Sequence, residues 1–154
     1  MNPRLRSRIL TGAFLAMAAT LAWHTIYDPD FWYHLAAGER MLQSGAVLRQ
    51  NFFSYTYPEQ PWLDVYWLYQ LALGWLWSWG QAAAVVGFKA LLNLGLAGLV
   101  VWGLRDRERL LGPVEAMVLL LGWLVMLPRL TDRPELVSYV LLAAMLVLLR
   151  RRSW

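Results

Sequence analysis

VYWLYQLALGWLWSWGQAAAVVGFKALLNLGLAGLVVWGL, residues 65–104, is apolar almost throughout, and how it is divided decides the fold. If residues 65–79 and 82–104 each cross a bilayer, Arg105 to Arg109 and Arg150 to Arg152 both fall opposite the amino terminus, against the preference of arginine for the cytoplasmic side. If residues 65–79 lie in the membrane interface, Trp67, Trp75, Trp77 and Trp79 sit at headgroup level and every dense arginine cluster is cytoplasmic. The second division is the one adopted here.

Working outward, the rest of the chain has the same character. Of its residues 59% are hydrophobic and only 16% charged, and the apolar ones come in runs instead of alternating, the profile of a multi-pass membrane protein. The net charge of +4 comes from arginines in short clusters beside apolar runs, so it reads as a topology signal and excludes a nucleic-acid partner. With no cysteine there is no disulfide framework and no thiolate ligand or nucleophile.

Residues 9–27, after Arg4, Arg6 and Arg8, are long enough to span. The alternative reading of this start is a signal sequence cleaved near Ala16-Met17-Ala18; the later spans keep the protein in the membrane either way. Residues 82–104, 113–128 and 135–149 are the further spans, the last two short for a full bilayer. The expectation is an all-α membrane protein with about four transmembrane helices. Residues 28–80 form an outer juxtamembrane loop with one or two interfacial helices, and 1–154 is a single polytopic module. Asp28, Asp30, Glu39, Glu59, Asp64, Asp132 and Glu135 then share the outer face, and Asp106, Glu108 and Glu115 lie inside.

The loop opens with Asp28-Pro29-Asp30-Phe31-Trp32-Tyr33-His34. Asp28 and Pro29 read as an N-cap and first-turn proline, with Gly45 as the stop. Asp28 then accepts backbone N–H groups and Asp30 is the freer carboxylate, so Asp30 is the first candidate general base and Asp28 the second. A cap with a favourable helix-dipole acid is the bland reading of both. His34, one turn after Asp30, orients that carboxylate, meets a phosphate or is only an interfacial polar residue. The two acids and the histidine also suit a divalent metal on a phosphorylated substrate, although the set has few donors and no cofactor is certain. Arg129, Asp132 and Arg133 make a second charged turn, suited to holding phosphate or simply solvated. Lys89 and Asn93 share one buried helical face, where packing is the expected role. There is no phosphate-binding glycine loop, nucleophile elbow or zinc-type histidine pair.

The order of these features resembles the N-terminal part of bacterial polytopic glycosyltransferases of the GT-C superfamily, relatives of the protein mannosyltransferases and aminoarabinose transferases. The likeness rests on Asp-x-Asp-x-Trp-x-His-Leu-Ala-x-Gly from Asp28 to Gly38, the aromatic stretch Asn51 to Thr56, Pro61-Trp62-Leu63-Asp64, and Arg133-Pro134-Glu135 before a span. It implies sugar transfer from a polyprenyl-phosphate donor on the outer face of a bacterial inner membrane, with a cytoplasmic amino terminus. Asp30, with Asp28, would take the catalytic role, and His34, Arg129, Arg133 and Asp132 would bind substrate. Enzymes of that family carry more spans, so the chain looks like an N-terminal fragment of such an enzyme or a short relative. The competing expectation is a non-catalytic module that binds membrane lipid or a partner membrane subunit through its Trp-rich helix.

Overall fold

The computed structural model describes residues 1–58, 60–104 and 111–152; Glu59, the charged cluster 105–109 and Trp154 lie outside them. Among the described residues the chain forms five α-helices: α1 Pro3–Ala22, α2 Asp30–Ser44, α3 Trp67–Leu104, α4 Pro113–Met126 and α5 Pro134–Arg152. A 3-10 turn, Leu127–Arg129, follows α4.

Two of these helices, α1 and α3, are long and apolar enough to cross a membrane, fewer than the four spans expected. At 1.5 Å per residue the 14 residues of α4 reach about 21 Å, short of a hydrocarbon core of about 30 Å. The 19 residues of α5 take in Glu135 at one end and Arg150, Arg151 and Arg152 at the other. The first helix is also displaced from 9–27. Asn2 accepts the Arg4 N–H at 2.9 Å and Pro3 fills the first helical position, so α1 starts early and holds all three arginines.

The chain divides into two compact units, one of residues 1–25 and 86–154 and one of residues 26–85. In the first, α1, the later part of α3, α4 and α5 pack around Phe14, Ala18, Leu96, Ala97, Val101, Trp123, Leu130 and Leu136. Phe14 and Trp123 meet edge to face at 5.5 Å. Ser7 Oγ accepts the Leu111 N–H at 2.9 Å, fixing the start of α4 beside the start of α1. Arg150 donates to the Gly103 carbonyl, and the Arg151 guanidinium lies 4.1 Å from the centre of the Trp102 ring. These contacts place the ends of α3 and α5 together, so those two helices run opposite to α1 and α4. Their outward faces stay apolar, with Val114, Met117, Val118, Leu121, Val125, Leu141, Met145 and Leu148 exposed. A cleft of about 330 Å³, lined by Phe14, Leu96, Trp123, Leu130, Tyr139 and other apolar side chains, opens among them.

The second unit is built on α2 and residues 67–85 of α3. Phe31, Leu35, Leu73 and Val85 form its core, with Ile26, Tyr69, Leu76 and Trp77 against it. Helix α3 breaks at Gly80 (φ −150°, ψ 17°) and Gln81 (φ 49°, ψ −140°). Gln81 is a strained left-handed position for a residue with a Cβ. Residues 67–79 therefore form a short helix distinct from 82–104. Between α2 and α3, Asn51 N–H to Gln60 O (2.9 Å) and Trp62 N–H to Arg49 O (2.8 Å) tie residues 49–62 into an irregular hairpin.

Helix α2 stops because Gly45 turns left-handed, φ 66°, and gives its N–H to Met41 O at 2.9 Å. No atom would crowd a Cβ there, so Gly45→Ala is expected to cost about 1 kcal/mol through backbone strain alone. Thermal unfolding of the purified variant checks this, and an unchanged midpoint would rule the strain out.

Candidate functional site

The acidic motif opens α2. Asp28 lies one residue before the cap position: its Oδ1 accepts the Asp30 N–H at 3.0 Å, and its carbonyl accepts the Phe31 N–H at 3.2 Å. Pro29 occupies the cap position and supplies no side-chain bond. Asp28 is 5% exposed while Asp30, in the first helical turn, is open to solvent. Asp28 thus organises the turn, and Asp30 offers a solvent-exposed carboxylate in the first turn of the helix.

Tyr33 and His34 carry the site inward. His34 is buried, with Nδ1 3.2 Å from Gln70 Nε2, and Gln70 itself is fully buried. The Tyr66 and Tyr69 rings stand edge-on to the imidazole at 5.4 and 5.7 Å, and the Tyr33 ring lies at 4.6 Å. Packed this way, the imidazole is a fixed part of the wall.

Burial first, then the Asp64 carboxylate, raises the Tyr33 hydroxyl above its ordinary pKa; Tyr66 and Asp30 push the same way, and a hydrogen bond from Gln70 opposes them. Tyr33 therefore stays a neutral hydroxyl at physiological pH. Its phenol group is the point at which the fields of Asp30 and Asp64 and the amide of Gln70 meet. Phe53 and Trp62 complete an aromatic wall, with ring centres 4.8 and 6.3 Å from that of Tyr33.

The structure brings Asp28, Asp30 and His34 to one end of α2, and it adds Tyr33, Asp64 and Gln70. In the sequence Asp64 stands out only as one of the outer acids and as the end of Pro61-Trp62-Leu63-Asp64, and Gln70 carries no signal at all. It is hidden in an apolar run and takes its role from His34, far away in sequence. Among the described residues no three His, Asp or Glu side chains converge as metal ligands.

The other expected residues belong to the first unit. Asp132 is buried and paired with Lys89, Nζ to Oδ1 3.3 Å and to Oδ2 3.4 Å. Lys89 also donates to the His24 carbonyl at 2.9 Å and lies 3.1 Å from His24 Nδ1. That nitrogen is 2.9 Å from the Thr25 carbonyl as well, so the tautomer decides which contact is a hydrogen bond. Burial raises the Asp132 carboxyl above its ordinary pKa, and the Lys89 ammonium and His24 pull it back. Asn93 Nδ2 donates to Lys89 O at 3.0 Å and reaches Leu130 O at 3.4 Å, pinning the same turn. Arg129 is exposed and Arg133 half-buried, its N–H bonded to Thr131 O at 2.9 Å. Lys89, expected to serve packing, is the hub that holds α1, α3 and this turn together.

Comparison with protein-family models, with curated proteins and with solved structures finds no match to this chain.

Proposed function

We propose that the protein is a membrane glycosyltransferase-like module that handles a sugar carried on a polyprenyl phosphate, with Asp30 as the general base for an acceptor hydroxyl. One observation carries the reading: Asp30 is a solvent-exposed carboxylate whose charge acts on Tyr33, in an aromatic cluster to which Asp64 and Gln70 add a carboxylate and an amide. Aromatic faces beside acceptor groups suit a sugar ring, whose C–H face is apolar and whose edge is hydroxyls. Transfer removes the acceptor's hydroxyl proton while the donor's phosphate leaves, so the step needs a base with an accessible oxygen. Arg129 and Arg133 are the cations nominated for the phosphate.

A membrane setting is supported by α1 and α3 and by the apolar outward faces of α4 and α5. The topology has internal support too. Lys89 donates to the His24 carbonyl, so the stretch after α1 and this part of α3 are neighbours within the first unit. That neighbourhood supports the reading in which residues 67–79 stay at the interface without crossing. Arg4, Arg6 and Arg8 lie with Arg150, Arg151 and Arg152 at the opposite end, the cytoplasmic one of a bacterial inner membrane by the positive-inside rule. The apolar cleft suits the donor's hydrocarbon chain.

The test is Asp30→Asn in membranes that perform the transfer. The expected rate falls by about a hundredfold or more, the usual contribution of a general base, with insertion unaltered. Undiminished transfer would remove Asp30 from the mechanism. The second reading, a non-catalytic module docking lipid or a partner subunit, is favoured by exposed Trp67, Trp75 and Trp79, the last two stacked at 6.4 Å. On that reading Asp30→Asn leaves function intact and replacement of Trp75 and Trp79 abolishes it.

A further inference from the structure

The apolar cleft of the first unit has a floor and a rim. Phe14 and Trp123 are buried at its base, while Val118 and Met126 of α4 and Leu142 and Leu146 of α5 are exposed along its edges. Gly122 sits midway between Val118 and Met126, one turn from each on the same face of α4, and no atom stands within 4 Å of a Cβ added there. No neighbouring backbone requires that glycine. It weakens the helix, and what it gives in return is depth in the cleft.

Apolar walls around about 330 Å³ forfeit dispersion contacts that water does not restore, so the occupant is apolar too. Its identity follows from where the cleft opens. The neighbouring outward faces carry exposed Val125, Leu141 and Met145, so the medium at the rim is lipid hydrocarbon. From Val118 to Met126 the rim runs about 12 Å along α4, close to the hydrocarbon depth of one leaflet, about 15 Å. The cleft is not centred on that helix. Val118 lies five residues inside its start, whereas Met126 is its last residue and Leu130, beyond the helix, still lines the cleft. At that end Arg129 is exposed in the 3-10 turn, while the nearby Asp132 is buried against Lys89. A guanidinium at the mouth of an apolar cleft suits a chain that ends in a phosphate.

We infer that the cleft holds one acyl chain of an outer-leaflet phospholipid, whose phosphate meets the Arg129 guanidinium. The inference rests on the membrane setting and orientation of the proposed function and not on sugar transfer; a donor's chain would enter by displacing the resident one.

The experiment uses the full chain in nanodiscs of palmitoyl-oleoyl phosphatidylglycerol and phosphatidylcholine, with a trace of phosphatidylcholine that carries a diazirine on its acyl chain. Irradiation and peptide mapping are expected to place crosslinks on the rim and on Trp123. Native mass spectrometry is expected to find one phospholipid retained after the others are stripped. Gly122→Leu fills the cleft and should lower both signals about tenfold. Ala143→Leu narrows it from α5 and decides the matter if Gly122→Leu fails to insert. Arg129→Gln should lower retention about fivefold, the contribution of one arginine at a charged headgroup. Val125→Leu, on the outward face, should behave as wild type does. Crosslinks spread evenly over Val125, Leu141 and Met145, or retention unchanged in Gly122→Leu and Ala143→Leu, would overturn the site. Preferential retention of an added polyprenyl phosphate would overturn the phospholipid assignment. Crosslinks confined to the cleft, in membranes whose transfer is indifferent to Asp30, would overturn the catalytic reading alone.

Discussion

Lys89→Leu is expected to lower the melting temperature by on the order of 10 °C, while Lys89→Leu combined with Asp132→Leu recovers most of the loss. Lys89 is 2% exposed, and its ammonium is held by Asp132 at 3.3 Å and by the His24 carbonyl at 2.9 Å. Removing it leaves the Asp132 carboxylate buried without its counter-charge. Breaking a buried pair from one side costs about 3–5 kcal/mol, because the orphan must stay desolvated or take up a proton. Removing both charges abolishes that penalty, and apolar replacements of such pairs are often neutral. Three segments depend on the same ammonium: the end of α1 through His24, helix α3, and the turn at residues 130–132. The loss should therefore appear as increased proteolysis at that turn as well as earlier melting. Tryptophan fluorescence on heating, in nanodiscs, reads the midpoint. A single variant melting with wild type would mean that the pair contributes nothing, and a double variant as unstable as the single would mean that packing carries the effect.

Lys89 also marks where sequence reasoning reached its limit. Its burial was legible from a cation inside an apolar helix. Its partner was not, because Asp132 sits beside two arginines that look like the natural partners. Only the approach of the 130–132 turn to α3 redirects that carboxylate. Helix α2 was the opposite case. Asp28-Pro29 and Gly45 bracket it by local chemistry, and the structure ends it at Gly45 and starts it one residue later than expected, with Pro29 instead of Asp28 at the cap. Span counting failed for α4 because Pro128 stops the helix, and for α5 because the helix continues through Arg150 to Arg152. Hydropathy marks where apolar residues are, and caps mark where helices end. At the site, Asp30 and His34 were visible because they share a motif. Asp64 and Gln70 acquire meaning only when the hairpin at 49–62 and the start of α3 close on α2.

That closure depends on two glycines, and Gly38→Ala is expected to dismantle the second unit. A Cβ on Gly38 would lie 1.9 Å from the Gln70 carbonyl oxygen and 2.7 Å from its carbon. A Cβ on Gly74 would lie 2.9 Å from the Gly38 carbon and 3.1 Å from Glu39 N. The backbones of α2 and α3 are thus in direct contact, and the obstructing atoms are main chain that cannot rotate aside. Restoring ordinary contact requires α2 to withdraw by about 1.5 Å, and overpacking of this kind costs about 1–3 kcal/mol or more. His34 lies one turn before Gly38, so the same withdrawal opens the 3.2 Å His34–Gln70 bond and loosens Phe31 and Leu35 against Leu73. Stability and the geometry around Tyr33 should fail together: earlier melting, and a changed near-UV circular dichroism of the aromatic cluster even at temperatures where the protein remains helical. Gly12→Ala and Gly122→Ala are the controls. Nothing stands within 4 Å of either added Cβ, and both positions are helical, so each should be neutral or stabilising by up to about 1 kcal/mol. If Gly38→Ala melts with these controls, the two helices do not meet at Gly38, and the site built on their contact loses its foundation.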